Sequence, residues 1–446
     1  MNKVALRVLL LLSLMATLIG TGSGSVFAQG AFASYTSGVQ VANLEASAAT
    51  VTLTAFNQDG TQNGAPFTAD IPANGSTTFF PIKNVSSGFN GSLVISSSKK
   101  IAAISNIVES NFKAAASYVG RDAGATSVRL PLLNANNSGF NTWFSVQNAG
   151  TADATINVAY SDGKTNTAVV KPGAAKVFFQ ATEGHTAKVF AGTVTSTQPL
   201  VAAVIQESSS VMFAYTGFTG AGSTNPVFPL INANNAGYIT GVQIQNAGTA
   251  PTDVTLSYTP SSAGTACTEK QTIPAGDSKT FALNAFANSS LGAAENCADL
   301  GRFIGSAKVT VNSANQPLVG IGNQLLPGKN GEAYGSFSAE EATTKVVMPL
   351  IMDRNGGFFT GFSIQNVGTA ATAVSCVFTN SSYTVSGNLN PDQALADLQG
   401  GKIADKYVGA ATCTAAAGGK IVGVVNQLGA NTAADQLLVY EGVSTQ

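Results

Sequence analysis

The chain repeats itself, and a repeat at long, near-fixed spacing constrains the fold more than any local propensity can. Pro131-Leu132-Leu133-Asn134-Ala135-Asn136-Asn137 returns as Pro229-Leu230-Ile231-Asn232-Ala233-Asn234-Asn235 and, more loosely, as Pro349-Leu350-Ile351-Met352-Asp353-Arg354-Asn355, at spacings of 98 and 120 residues. Behind each lies an aromatic-containing stretch, then Gln147-Asn148-Ala149-Gly150-Thr151-Ala152, Gln245-Asn246-Ala247-Gly248-Thr249-Ala250 or Gln365-Asn366-Val367-Gly368-Thr369-Ala370, at the same 98 and 120. An alternating run follows each, over residues 154–160, 253–258 and 373–378. A more diverged copy stands at the front, in Val41-Ala42-Asn43 and residues 49–56 and 71–79. The second halves repeat as well, over residues 91–109, 192–207, 305–324 and 409–427, each reading as two short strands around a polar turn. The expectation is four units after a leader: 29–128, 129–226, 227–345 and 346–446.

Alternation of apolar and polar residues is the mark of a half-buried strand, and Gly, Asn, Asp-Gly or Pro interrupts it about every 8 to 12 residues. The reading is therefore all-β: four tandem antiparallel immunoglobulin-like β-sandwich units. A solenoid would repeat every 20 to 45 residues or so. A membrane barrel wants aromatic girdles, whereas one Trp and 10 Tyr are scattered here. One stretch departs from the pattern. In residues 391–400, Asp392-Gln393-Ala394-Leu395-Ala396-Asp397-Leu398 reads as a helical turn or two replacing a hairpin.

Lys3 and Arg7 precede an apolar run over residues 8–19, and Val26-Phe27-Ala28 ends a small-residue stretch, which together read as a cleavable secretory leader, residues 1–28. The run is shorter than the roughly 18 residues of a spanning helix, and no later stretch reaches that length. Cleavage leaves 418 residues with 20 basic and 23 acidic groups and no membrane-spanning segment. The expected location is extracellular, at the cell surface. Four cysteines fit an oxidising compartment: Cys267 and Cys297 in the third unit, Cys376 and Cys413 in the fourth. Two bridges within units are favoured, with two other pairings open. Cys376 on the alternating strand and Cys413 on a later one suit a bridge across the sandwich. Cys267 and Cys297 fall in the insertion that lengthens the third unit.

Ser145-Val146-Gln147-Asn148-Ala149-Gly150-Thr151-Ala152, then a strand, Asp162-Gly163, and Lys171-Pro172-Gly173-Ala174-Ala175-Lys176-Val177-Phe178 resembles the CARDB-type immunoglobulin-like modules of bacterial surface proteins. There, too, a strand ends in Asn-x-Gly and a later Pro-Gly turn opens the next strand. The resemblance covers about the first half of each unit. It implies adhesion or spacing and no shared catalytic residues.

Charge narrows the partners. Only 10 % of residues are charged, 22 Lys plus Arg against 23 Asp plus Glu, where about a quarter is usual. No basic excess exists to displace phosphate counterions, so nucleic acid is not expected. The candidate contacts are loop residues that could present amides and rings to a sugar or a neighbouring subunit: Asn134, Asn136, Asn137, Phe140 and Trp143, then Asn232, Asn234, Asn235 and Tyr238. Asn148, Asn246 and Asn366, each with Gly two positions on, read as strand-corner chemistry that tolerates a left-handed backbone. Glu109, Glu207, Gln324 and Gln427 recur near the end of an apolar strand without a second recurring carboxylate, so each is expected to bond an adjacent turn. His185 is the only histidine, in a Glu183-Gly184-His185 turn, which leaves no His-based metal site. Ser97-Ser98-Lys99-Lys100 fits Ser-x-x-Lys by composition alone. No enzyme, cofactor or metal is expected.

The Pro-Leu-Leu/Ile segment occurs at three junctions, so one terminal unit lacks that strand and has an open edge. Head-to-tail assembly follows as an expectation, with residues 29–35 as donor. Low charge opposes such packing weakly. The function expected is a secreted, surface-associated structural or adhesive rod that contacts itself or other envelope components. The alternative is an extracellular glycan-binding protein.

Overall fold

The computed structural model describes residues 6–12, 31–32, 34–109, 111–282, 293–294, 297, 301–313, 315–340, 342–430 and 434–445. They form antiparallel strands joined by turns, with a single 3-10 turn at Gln180–Thr182. The leader's cleavage residues, 26–28, lie outside the described residues. The chain gathers into two compact units, one reaching Thr219 and taking in Asp435, the other beginning at Gly220. Each therefore carries two of the sequence copies.

In the first unit, the front copy forms two four-stranded sheets. One runs Leu6–Leu12, Gly91–Ser97, Ala49–Asn57, Gln62–Ile71; the other runs Ser76–Phe79, Tyr35–Asn43, Ile101–Glu109, Ala115–Val119. The second copy merges its sheets, because the 19-residue strand Val189–Glu207 runs through both. Its first half pairs with Ala125–Asn134 and Ala154–Tyr160, and its second half with Asn141–Asn148 and Met212–Thr216.

The second unit keeps the same connectivity. Ser278–Phe281, Ile239–Asn246, Leu318–Leu326, Asn330–Gly335 form one four-stranded sheet, and Ala394–Leu398, Phe358–Asn366, Ile421–Gly429, Leu437–Glu441 form another. A six-stranded sheet around Phe303–Val311 and a five-stranded sheet around Tyr407–Ala415 complete the set.

Burial on both faces explains the long apolar runs. Leu200, Ala202 and Val204 face one side and Val201, Ala203 and Ile205 the other, and all six are buried. The second set packs with Trp143 and Met212 into one cluster with Tyr35, Val39, Ile107 and Ala116 of the front copy. Two copies thus share a core. In the second unit, Val424, Leu437 and Val439 join Val242, Leu318 and Tyr334 in the same way. A strand covered on both faces loses its polar alternation, as residues 200–205 and 421–425 show in the sequence.

Each Pro-Leu segment carries a bulge. The ladder slips between Leu130 and Leu133, between Phe228 and Ile231, and between Met348 and Ile351, at Pro131, Pro229 and Pro349. Proline lacks the N–H that a regular ladder needs, so a bulge is where it fits. The carbonyl after each proline accepts a tyrosine hydroxyl: Tyr215 to Leu132 at 2.7 Å, Tyr334 to Leu230 at 2.6 Å, Tyr440 to Leu350 at 2.5 Å. Burial pushes all three phenols well above their usual range. These tyrosines recur at a fixed register in the second, third and fourth copies.

Two expectations are corrected. Residues 394–398 form a strand on Phe358–Asn366, not helical turns. Ala394 is buried against the sheet, and ladder pairing outweighs a weak helical preference. Cys376 and Cys413 do bridge, but as directly opposed neighbours within one sheet, Cα atoms 3.9 Å apart, not across the sandwich. Cys267 and Cys297 form the second bridge.

Candidate functional site

The Asn-rich loops hold themselves together. The Asn134 side-chain amide donates to Gln206 at 3.0 Å, its oxygen accepts the Asn137 amide at 2.9 Å, and its backbone N–H donates to the Thr142 hydroxyl at 2.8 Å. Asn232 repeats this: its oxygen accepts the Asn235 amide at 2.9 Å and its N–H donates to Thr240 at 2.9 Å. Asn137 with Phe140, and Asn235 with Tyr238, exchange backbone hydrogen bonds that close each loop. Asn136 and Asn234 stand in the left-handed region at φ 52° and 47°, which asparagine tolerates better than most residues. The Asn234 amide donates to the Gly301 carbonyl, and Asn235 accepts from the Arg302 guanidinium.

What remains outward is small. Asn136 and Asn234 are exposed, and Phe140 and Tyr238 half-buried. Trp143 is not a loop residue: it lies in the strand Asn141–Asn148, 2 % exposed, between the rings of Tyr35 and Phe179. It offers no stacking platform. Phe140 rests edge-on against Phe213 at 5.7 Å.

The corner asparagines are the most repeated polar device. Asn148 donates through its amide to the Ala152 and Val170 carbonyls at 2.7 and 2.8 Å and accepts the Gly150 N–H at 2.9 Å. Asn246 and Asn366 make the same three bonds, to Ala250, Ile273 and Gly248, and to Ala370, Leu389 and Gly368. Asn43 does so in the front copy, with Ser47, Ile71, Pro72 and Glu45. None of the four has a left-handed backbone. The side chain, not the φ angle, is what the corner needs. A Cβ at Gly150 would meet Gln198, at 2.4 Å from Oε1 and 3.0 Å from Cβ, so a side chain there would displace the Gln198 side chain.

The four acid or amide positions do not form one set. Gln324 lies opposite Thr240 and Gln427 opposite Thr360, and the residue opposite Thr142 is Gln206, not Glu207. A one-residue offset turns a side chain to the other face. Glu109 caps its own turn, accepting the N–H groups of Asn111 and Lys113. Glu207 reaches instead into the shared core, taking the Tyr35 hydroxyl at 2.7 Å and the Ala31 N–H at 2.6 Å. Burial raises its carboxyl above the ordinary 4.5 despite these bonds. Of the expected donor segment, 29–35, residues 29, 30 and 33 lie outside the described residues, while Phe32 and Tyr35 are buried in the cluster beside Glu207.

His185 closes a hairpin. Its Nδ1 lies 3.0 Å from Asp162 Oδ2, and its ring stacks on Phe190 with centroids 4.0 Å apart. Burial pushes the Asp162 carboxyl up, but N–H groups of Lys164 and Thr186 and the His185 ring outweigh it and hold the group below 3.8. Ser97 of the Ser-x-x-Lys match accepts the Lys99 N–H in a turn. An open depression of about 520 Å³, lined by Ser375, Ser386, Asn388 and Thr414 among others, has no titratable side chain in its lining. Among the described residues, no group of three His, Cys, Asp or Glu side chains is placed to hold a metal ion.

No family model matches this chain, and no curated protein matches it either. Neither comparison adds support for the CARDB-type family. Among solved structures, the chain is similar to the crystal structure of a tetra-tandem repeat in the extending region of a large adhesion protein. That match has 12 % identity over 93 % of this chain and 96 % of the other, with a TM-score of 0.10, too low for the superposition to assign a fold or a role.

Proposed function

We propose that this is a secreted, cell-surface structural or adhesive protein without catalysis, built from four sandwich copies joined in pairs. The observation that carries the reading is how the repeated polar residues are used. Asn43, Asn148, Asn246 and Asn366 each satisfy their own corner, and Asn134, Asn137, Asn232 and Asn235 their own loop. What the copies preserve is the fold. Two disulfides and the leader pattern support export to an oxidising compartment. A surface with few charges supports close packing against itself or other envelope components.

The glycan-binding reading rests on one feature, the half-buried rings of Phe140 and Tyr238 beside exposed Asn136 and Asn234. A glycan array with the purified chain separates the two. Binding that is lost in Phe140→Ala and Tyr238→Ala favours the glycan reading, and a blank array favours the structural one. Fractionation of the native cell tests export directly: recovery in the cytosol would sink both.

A further inference from the structure

We propose that the edge strand Gly91–Ser97 is a strand-acceptor site, filled in cis by Leu6–Leu12 and opened, when the leader is removed, to an extended apolar segment of another polypeptide. The proposal rests on the secreted reading above for its opening step.

Copies two, three and four each fill this edge themselves. Ala125–Asn134 lies on Val189–Glu207, Pro226–Ala233 on Phe303–Val311, and Lys345–Asp353 on Tyr407–Ala415. The front copy has no Pro-Leu strand of its own, and Leu6–Leu12 lies there instead, antiparallel over seven pairs from Leu6 opposite Ser97 to Leu12 opposite Gly91. The register is shared. Leu11 stands opposite Ser92 as Leu130 does opposite Gly192, Phe228 opposite Ala307 and Met348 opposite Ala411. Those acceptor positions correspond, because Phe56, Tyr160, Tyr258 and Phe378 pair with them from the other side.

The slot is also furnished for a Pro-Leu strand. Tyr118 pairs with Ser105, four residues beyond the partner of Asn43, just as Tyr215, Tyr334 and Tyr440 pair with Val204, Gly322 and Val425, four residues beyond the partners of Asn148, Asn246 and Asn366. In the other copies that tyrosine takes the carbonyl after proline.

Loss of Leu6–Leu12 would leave a seven-residue edge with neither charge nor proline, the two devices that commonly keep edges from pairing. Buried Leu93 and Ile95 lie on that strand. An uncharged extended segment with apolar residues at alternate positions supplies the backbone bonds of the ladder and an apolar face, as in β-augmentation. Ala31 and Tyr35 are already bonded to Glu207.

The test uses a chain beginning at Gln29, made behind an unrelated cleavable leader, and a fluorescent peptide of residues 226–233, an uncharged Pro-Leu strand. The expected result is saturable binding at one peptide per chain, slowed amide exchange across Gly91–Ser97, and binding at least about tenfold weaker to a chain that keeps residues 1–28. A peptide with the same side chains but N-methyl groups on its edge-facing amides should not bind. Absence of peptide binding, or equal binding of the N-methylated peptide, overturns the acceptor site. A dimer by sedimentation with Gly91–Ser97 already protected also overturns it, in favour of a second copy as occupant. The intact mass of the natively exported chain reads the leader separately: retention of residues 6–12 overturns the opening step and the cleavage reading, whatever the peptide does.

Discussion

Replacing Asn148 with alanine removes three hydrogen bonds at a residue that is fully buried. The Val170 carbonyl is left in a dry site, at a cost of about 1 to 3 kcal/mol, while the Ala152 carbonyl and Gly150 N–H, closer to water, add about 0.5 to 1.5 kcal/mol each. The sum is about 2 to 6 kcal/mol, and about 3 kcal/mol is the working value. Asn148→Asp keeps the acceptor for Gly150 but turns lone pairs toward two carbonyls, so it should cost at least as much. Trp143 makes the assay simple, since it is the only tryptophan and is buried in the first unit. Urea unfolding followed by its fluorescence should move to a lower midpoint by about 1 M, taking a slope of about 3 kcal/mol/M. Asn43→Ala should give a similar shift, and exposed Thr151→Ala should give almost none. An Asn148→Ala shift no larger than that of Thr151→Ala would refute the corner as a source of stability.

Other predictions follow from the same contacts. Because Glu207 is raised above 4.5 in the fold, its ionised form is disfavoured there: the destabilisation is absent well below pH 4.5 and grows as pH rises through the folded value. Glu207→Gln should therefore gain on the parent in melting temperature between acid and neutral pH, and a constant difference would contradict the assignment. Asp353 is the opposite case. Burial raises its carboxyl, but Arg354 and the N–H groups of Gly401 and Ile403 hold it below 3.8, so its contribution is present above that value and lost as pH falls through the folded one. Asp353→Asn should be destabilising at pH 7 and converge with the parent in strong acid, read by calorimetry. The Cys376–Cys413 bridge closes 37 residues, and its loss should lower stability by about 4 kcal/mol on the chain-entropy estimate. Reductant should accordingly lower the melting of the second unit and leave the Trp143 transition, in a unit without cysteine, unchanged. Tyr440→Phe removes a buried bond to Leu350 and should cost about 1 to 2 kcal/mol.

The repeats, the strands and the corner asparagines could be read from the sequence because each depends on residues close together along it. Asn148 bonds Ala152 and Gly150 within its own corner, its third bond, to Val170, being the one that pairing supplies, and Asn134 bonds Asn137 within one loop. What could not be read depends on pairing. Glu207 and Gln324 look equivalent in an aligned sequence, yet a one-residue difference in register points Glu207 into a core shared by two copies. The run over residues 200–205 already lacked polar alternation, which is the signal of a strand buried on both faces. Trp143 reads as a loop aromatic because its loop is Asn-rich, but its place in the strand puts it in the core. Residues 394–398 carry helix-compatible side chains, and only the neighbouring strand makes them extended.

We propose that the chain is exported and works at the cell surface as a structural or adhesive element. Immunogold electron microscopy of the native cell envelope tests it most directly. The expected result is label outside the cell, in a layer or in filaments at the surface. Label confined to the cytoplasm would contradict it.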